Sequence, residues 1–155
     1  MSAAPPTTRD LDRFRDQADG FIRDLDEEYY LHFAGLKETL DVEQVYERYE
    51  ELTKLETAQQ LTGAPTELWR FACEGFLGNL TREHQARLAK AEAELEATVD
   101  GKTVPYRMLR VAMSNEPDRD RRQRLEEARV RLLDEHLNPV YLEAGQIDQQ
   151  AVRQL

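Results

Sequence analysis

The sequence predicts an all-α fold, a bundle of five to six mostly antiparallel helices with a small β-hairpin insert near 97–106. Apolar residues recur every three or four positions along most of the chain, which is the period of an amphipathic helix. The pair Asp100-Gly101 stands between Val- and Thr-rich flanks, a pattern typical of a hairpin turn. Because 155 residues suffice for one domain, we expect a single helical domain over 8–155, preceded by a disordered tail over 1–7.

The first helix is predicted to begin near Thr8, whose hydroxyl can accept a hydrogen bond from a free backbone amide. Gly35 is expected to end it, because glycine readily takes the left-handed conformation found after helix ends. One apolar stripe runs between them at helical spacing: Leu11, Phe14, Ala18, Phe21, Ile22, Leu25, Tyr29 and Phe33.

The second helix is predicted from Asp41 and Gln44, which have the spacing of a capping box. We expect it to stop at Gly63, ahead of Pro65, because a proline cannot continue a helix without losing a hydrogen bond. Its apolar stripe consists of Val42, Val45, Tyr49, Leu52 and Leu55.

The third helix is predicted to begin near Thr66 and to be central, because apolar residues surround most of its circumference. Gly78-Asn79 is expected to kink or interrupt it, and Thr81 to cap a fourth segment beyond. The apolar residues of the third helix are Leu68, Trp69, Phe71, Ala72, Phe76, Leu77 and Leu80, and those of the fourth segment are Leu88, Ala91, Leu95 and Val99.

After the hairpin, a helix is predicted with Asn115 as its N-cap and with Glu116 and Asp118 in the first turn. Pro139 is expected to break or kink it, because proline lacks an amide hydrogen. A last helix keeps its apolar period to the final residue, which favours the hypothesis that the chain is the N-terminal part of a longer protein. The predicted core is Phe14, Phe21, Leu25, Tyr49, Leu52, Trp69, Ala72, Phe76, Leu88, Leu125, Ala128 and Leu132.

Composition narrows the functional classes. Charged residues make up 34 % of the chain and the mean hydropathy is −0.75, but the apolar residues are periodic, which favours a folded helical protein over disorder. The net charge is −10 and most of the acidic excess lies in residues 1–60, which argues against nucleic-acid binding. The N-terminus has no signal-peptide pattern, and no apolar run approaches the ~20 residues that a bilayer span needs. We therefore expect a cytoplasmic acidic protein with neither nucleic-acid nor membrane partners.

The sequence offers few residues for catalysis or metal binding. His32, His84 and His136 form neither a His-Glu-x-x-His motif nor the Glu-x-x-His pairs of di-iron bundles. Glu28 and His32 are four apart, but such pairs are more often interfacial neighbours. Cys73, the single cysteine, is more often a buried apolar filler than a nucleophile. We predict no catalytic, cofactor-binding or metal-ligating residue in this chain.

Two further patterns have a functional and a structural interpretation. A basic run after residue 118 is a candidate anion site, but acidic residues interleave it at helical pairing distance and favour an internally compensated face. Four tyrosines beside acids allow a groove lining, although boundary positions with hydrated hydroxyls are commoner. The arginines are Arg119, Arg121, Arg122, Arg124, Arg129 and Arg131; the acids are Asp118, Asp120, Glu126 and Glu127; the tyrosines are Tyr29, Tyr30, Tyr46 and Tyr49.

Four segments carry a family resemblance: Glu67–Gly78, Val99–Arg107, Ser114–Arg122 with its Asn-Glu-Pro-Asp-Arg start, and Leu125–Arg129. Their order resembles the N-terminal helical region of bacterial oligopeptidases related to oligoendopeptidase F and, more distantly, to peptidyl-dipeptidase of the angiotensin-converting-enzyme type. The similarity covers nearly the whole chain from about Leu11.

The resemblance implies a mostly helical, two-lobed zinc peptidase whose N-terminal helices wall or cover a deep channel and so admit only short peptides. The metal ligands and the catalytic glutamate of this family lie far downstream, in a His-Glu-x-x-His helix followed by a further Glu. This chain holds no such motif, so the resemblance implies a non-catalytic lid or channel-wall portion, with zinc expected only in a full-length parent. Its partners would be the rest of the parent chain and, at full length, short peptides.

Two other functions remain open from the sequence. A free-standing helical protein–protein interaction module is the main alternative. A nucleic-acid binder that uses the arginines of 119–131 is a weaker one, because these arginines are interleaved with acids.

Overall fold

The computed structural model describes residues 7–155, and its helices and hairpin confirm the predicted all-α fold with a small β-hairpin. The predicted tail lies outside the described residues except for Thr7. Counting the unbroken helical run from Arg119 to Ala151 once, the described residues form six helices. The α-helices are α1 (Thr8–Phe33), α2 (Val42–Arg48), α3 (Leu55–Gln60), α4 (Thr66–Glu94), α5 (Tyr106–Ser114), α6 (Arg119–Leu132) and α7 (Asn138–Ala151). The strands are β1 (Glu96–Val99) and β2 (Lys102–Pro105), and short 3₁₀ helices cover Glu50–Thr53 and Val152–Gln154.

The chain divides into two compact units. Unit 1 comprises Met1–Ala86 and Gly145–Leu155, of which residues 7–86 and 145–155 are described, and unit 2 comprises Arg87–Ala144. The boundaries fall inside α4 and α7. Among residues 7–155, no helix combines the length and the apolar character that a membrane crossing requires.

Unit 1 is built around aromatic side chains of α1, α2 and α4. The ring of Phe21 meets the rings of Tyr46, Tyr49 and Phe71 edge-on, with centroid distances of 5.2, 5.6 and 6.0 Å. Phe14 meets Phe71 in the same way at 5.8 Å. Edge-on pairs place the positive ring edge against a negative ring face, so they add to the hydrophobic stabilisation of this core.

A reciprocal capping box begins α1. Thr7 Oγ1 accepts from the amide of Asp10 at 3.3 Å, and the carboxylate of Asp10 accepts from the amide of Thr7 at 3.0 Å. The cap is therefore one residue earlier than the predicted Thr8, and the acid three residues beyond Thr7 completes the box. Gly35 has a φ of +74°, as expected for a glycine that follows a helix end.

Unit 2 contains the hairpin. Its antiparallel register pairs Glu96 with Pro105 and Val99 with Lys102, which leaves Asp100 and Gly101 as a two-residue loop. Both have positive φ, +53° and +77°, the backbone of a type I′ turn. A buried apolar cluster is formed by side chains of β1, α5 and α6: Ala97, Val99, Leu109, Leu125, Ala128 and Leu132.

Several predicted helix boundaries are wrong. The second helix is divided into α2, a 3₁₀ turn and α3, and Asp41 makes no side-chain cap because its carboxylate pairs with Lys37 at 2.9 Å. The third helix is neither interrupted nor recapped, since α4 continues through Gly78 and Asn79. Thr81 donates its hydroxyl to the carbonyl of Leu77 at 3.1 Å, a contact made inside a helix.

The region after the hairpin differs most from the prediction. Helix α5, which was not predicted, buries Leu109, and Asn115 is the C-cap of this helix and not the N-cap of the next one. The N-cap of α6 is Asp118, which accepts from the amide of Asp120 at 2.9 Å. Pro139 does not break the helical run, because a π turn over Leu133–Leu137 precedes it. Its wider i→i+5 geometry lets the amide of Asn138 donate to the carbonyl of Leu133.

The predicted core is correct for eight of its twelve members, whereas Leu25, Tyr49, Trp69 and Leu88 are only half-buried. Ile22 and Phe33 of the first stripe are exposed.

Candidate functional site

A cluster of ion pairs joins the hairpin turn to α6 in unit 2. The carboxylate of Asp100 accepts two hydrogen bonds from Arg124, from Nε at 2.9 Å and from Nη2 at 3.0 Å. Arg121 Nε lies 3.5 Å from the same carboxylate, and its Nη1 lies 2.9 Å from Glu116. We call Asp100, Glu116, Arg121 and Arg124 the hairpin anchor. Because a guanidinium and a carboxylate match in a planar fork, the anchor fixes the orientation of the turn as well as its distance from α6.

Asp100 is the carboxylate that both arginines of the hairpin anchor contact. The hydrogen bonds from Arg124 hold the pKa of Asp100 below its usual value, so this carboxylate stays ionised at neutral pH. A general acid or base needs a pKa near the working pH, which is the opposite shift. Asp100 is therefore suited to holding structure and not to proton transfer.

The Asn-Glu-Pro-Asp-Arg segment contributes to the same joint. Arg122 Nη1 donates to the backbone carbonyls of Glu116 at 2.6 Å and Pro117 at 3.0 Å. The carboxylate of Glu116 accepts from the amide of Asp118 at 3.1 Å, ahead of the α6 cap. The side chains of Arg122 and Glu116 therefore hydrogen-bond backbone groups at the turn between α5 and α6.

The predicted compensation of the basic run is observed in part. Arg129 pairs with Glu126 of its own helix at 2.6 Å, as expected, and this contact raises the pKa of Arg129. Arg121 and Arg124 instead pair with Asp100 of the hairpin, a partner that sequence spacing alone does not reveal. Nucleic-acid binding by this run is not tested by these contacts, and its absence stays a prediction.

An open groove of about 480 Å³ runs along α6 and the π turn. Three of its four carboxylates already hold hydrogen bonds, because Glu126 accepts from Arg129 at 2.6 Å, Glu127 from Gln123 at 2.9 Å and Asp134 from Asn138 at 2.6 Å. The lining residues are Glu126, Glu127, Val130, Arg131, Asp134 and Glu135.

In unit 1 the tyrosines do not share one surface. Tyr46 is buried, and burial raises its pKa to about 12, whereas Tyr30 is 67 % exposed. Tyr29 donates its hydroxyl to Gln85, and Tyr49 donates to Asp24 at 3.0 Å. A single groove lined by all four is therefore wrong, and Tyr46 is a core residue that the sequence stripe missed.

The histidines and the cysteine are distributed over three elements: His32 lies in α1, Cys73 and His84 in α4, and His136 in the π turn. His32 is buried, and the nearby carboxylate of Glu28 accepts from Lys37 at 2.7 Å and from the amide of Asp41 at 3.2 Å. His136 lies 3.9 Å from its neighbour Glu135. Cys73 is a free buried thiol, and burial raises its pKa, so the reactive thiolate is disfavoured.

Within residues 7–155, no three His, Cys, Asp or Glu side chains are grouped as a metal site would require. Comparison with known proteins adds no relative: no family model, no curated protein and no solved structure matches this chain.

Proposed function

We propose that this chain is the non-catalytic helical lid or channel-wall portion of a zinc-dependent oligopeptidase. The observation that carries the proposal is the hairpin anchor. Two of the segments that resemble the oligopeptidase family, Val99–Arg107 and Ser114–Arg122, meet through the ion pair of Asp100 with Arg121 at 3.5 Å. Arg124, which lies between the second segment and Leu125–Arg129, adds the bidentate contact with Asp100.

A rigid joint suits a wall that limits access. A channel excludes large substrates only if its wall keeps its shape when a peptide presses against it, and paired charges with fixed geometry supply that stiffness. In this proposal the rest of the parent chain supplies the zinc ligands and the catalytic glutamate of a His-Glu-x-x-His helix. Zinc there would activate water and polarise the peptide carbonyl. The proposal includes a cytoplasmic location and short peptides as substrates of the full-length enzyme.

The first test compares peptide hydrolysis by purified 1–155 and by a longer natural chain that contains a zinc-binding helix. We expect no cleavage by 1–155 with or without added zinc, and zinc-dependent cleavage by the longer chain. Robust metal-dependent cleavage by 1–155 alone overturns the proposal.

A second test addresses the wall itself. In the longer chain, Asp100→Asn is expected to relax the upper limit of peptide length, because the turn loses its charge contact with Arg124. Asp120→Asn removes a nearby exposed carboxylate in the first turn of α6 and serves as the matched control. Equal length limits in the two variants and the parent would count against a wall function for unit 2.

A free-standing helical interaction module is the second candidate. It is favoured by exposed apolar side chains such as Tyr30 and Leu36, both 67 % exposed. A genomic stop codon directly after Leu155, together with a monodisperse product that melts cooperatively, would support it over the peptidase proposal.

A further inference from the structure

We propose that the outer face of α1 is a docking surface for an amphipathic helix that carries lysine and arginine side chains on its polar face. The inference rests on unit 1 alone and is independent of the peptidase proposal. It is drawn from exposed apolar side chains that alternate with unpaired carboxylates along this helix.

The apolar part of the surface is a stripe on the solvent side of α1. Ile22 is 44 % exposed, Tyr30 67 % and Phe33 54 %. Tyr30 faces away from the buried Phe14 and Phe21, whereas Ile22 and Phe33 lie on the flank of α1 between these two faces. We call Ile22, Tyr30 and Phe33, with Leu36 in the following turn, the outer stripe.

Leu36 extends the outer stripe beyond the end of the helix. Its side chain is 67 % exposed, while its backbone amide donates to the carbonyl of Leu31 at 2.9 Å and so holds the turn against α1. Single exposed apolar residues are ordinary on protein surfaces, but several along one helix face form a patch of the kind that partners cover.

The charged part of the surface consists of carboxylates that lack a counter-charge. Asp19, Asp26 and Glu27 are exposed on α1 and form no ion pair within residues 7–155. Of the neighbouring cations, Arg23 and Arg48 share the carboxylate of Asp24, and Lys37 pairs with Glu28 and Asp41. A partner with basic side chains would neutralise this excess, whereas an anionic partner would be repelled.

The geometry favours a helix as the occupant. From Ile22 to Phe33 the stripe extends over about three turns, roughly 16 Å at the rise of an α-helix. A second amphipathic helix presents apolar side chains at the same spacing and can lie along it. The aromatic rings of Tyr30 and Phe33 supply a large contact area, and their faces attract nearby cations.

The test measures fluorescence anisotropy of labelled synthetic peptides titrated with the full chain. The cationic probe is a 21-residue peptide made of three Lys-Leu-Leu-Lys-Ala-Leu-Lys repeats. One comparison probe carries Glu in place of every Lys, and another has the same composition with leucines scattered around the helix. We expect the cationic amphipathic probe to bind at least about tenfold more tightly than either comparison probe.

Paired variants distinguish a site from general attraction to an acidic protein. Ile22→Gln with Tyr30→Gln is expected to weaken binding at least about tenfold, as for loss of central apolar anchors. The matched control is Leu80→Gln with Val152→Gln, which alters two apolar residues of unit 1 that are 41 % and 53 % exposed. We expect the control pair to bind like the parent.

Charge variants with a matched control test the acidic part of the surface. Asp26→Asn with Glu27→Gln is expected to weaken binding several-fold at low salt, with a smaller effect at high salt because screening shortens the range of the interaction. Glu56→Gln with Glu67→Gln, two exposed acids elsewhere in unit 1, is the control.

Circular dichroism checks that every variant keeps its helices, and NMR shift changes of the parent amides at Tyr30 and Leu36 report docking without any substitution. Equal losses in test and control pairs, or shift changes confined to other regions of unit 1, would overturn the inference.

Discussion

Replacing Gly78 by alanine is expected to destabilise unit 1, although the same change stabilises most helices. Gly78 lies inside α4, and a Cβ atom added there would overlap the hydroxyl oxygen of Tyr46. The ring of Tyr46 is buried and packs edge-on against Phe21, so it cannot simply swing into solvent. The glycine is therefore required by the close approach of a tyrosine to the helix backbone.

The expected change in the free energy of unfolding is the difference between two opposing effects. Alanine in place of glycine favours a helix interior by about 1 kcal/mol. Forcing an extra methyl group into a packed core costs about 1–3 kcal/mol. We expect Gly78→Ala to lower the free energy of unfolding by about 0–2 kcal/mol, from the difference between these effects. A Cβ atom added at Gly145, which lies in α7 and in the same unit, has nothing within 4 Å. Gly145→Ala should therefore raise the free energy of unfolding by about 0.5–1 kcal/mol.

Urea unfolding followed by the fluorescence of Trp69, the single tryptophan, measures both variants in unit 1. Tyr46→Phe removes the overlapping oxygen and leaves the ring carbon Cζ 3.3 Å from the added Cβ. The double variant should therefore be destabilised less than the sum of Tyr46→Phe and Gly78→Ala, which a double-mutant cycle detects. If Gly78→Ala is as stabilising as Gly145→Ala, or if the cycle shows no coupling, the packing argument fails.

Three further outcomes are expected. Leu109→Ala should lower the free energy of unfolding by about 2–5 kcal/mol because Leu109 is fully buried, whereas Met108→Ala at a half-exposed site should change it by less than about 0.5 kcal/mol; urea titrations that show similar losses would contradict this. Asp100→Asn should be less stable than the parent at neutral pH. Because pairing with Arg124 lowers the folded-state pKa of Asp100, its contribution is complete above the ordinary value of 3.8 and is lost as the pH falls through the lowered pKa, so the gap between unfolding midpoints should narrow on acidification. A thiol assay at neutral pH should find Cys73 at least about tenfold slower in the folded than in the urea-unfolded protein, and equal rates would show that the thiol is accessible.

The hairpin shows which features local sequence can predict. Asp100 and Gly101 tolerate positive φ, and the Val and Thr residues beside them suit strands, so turn and strands follow from a few neighbouring residues. The N-terminus of α1 is similar, since the capping box needs only Thr7 and Asp10. Such elements depend on contacts within a few positions of the chain.

Features that depend on distant residues were not predictable. Tyr46 and Tyr49 have similar sequence neighbours, and the ring of each approaches a glycine of another helix, Gly78 for Tyr46 and Gly20 for Tyr49, but of the two only Tyr46 is buried. Asp41 has the spacing of a cap, but Lys37 engages its carboxylate. Helix α5 is too short for its period to be distinctive, and it is fixed by burial of Leu109 in the cluster of unit 2.

The candidate functional surfaces likewise contain some contacts that local sequence predicts and others that depend on distant residues. Pairing of Arg129 with Glu126 follows from their spacing within one helix. The partner of Arg124 lies 24 residues away, so the hairpin anchor becomes visible only when the chain folds. Ile22 and Phe33 of the outer stripe were predicted to lie on the apolar face of the first helix, because periodicity marks a helix face without saying whether anything covers it.

The π turn over Leu133–Leu137 sets the phase of the helix that follows it. Leu132 and Leu137 are both buried although they are five positions apart, a step that would rotate a side chain about 140° away in a regular α-helix. The π turn contains one residue more than an α-helical turn, so the buried side chains before and after it face the same way. The chain therefore resembles an α-helix into which one residue has been inserted without turning Leu137 outwards. Deleting one of the exposed residues Asp134 to His136 should restore an ordinary helix, whereas a deletion within α6 would turn Leu132 out of its cluster.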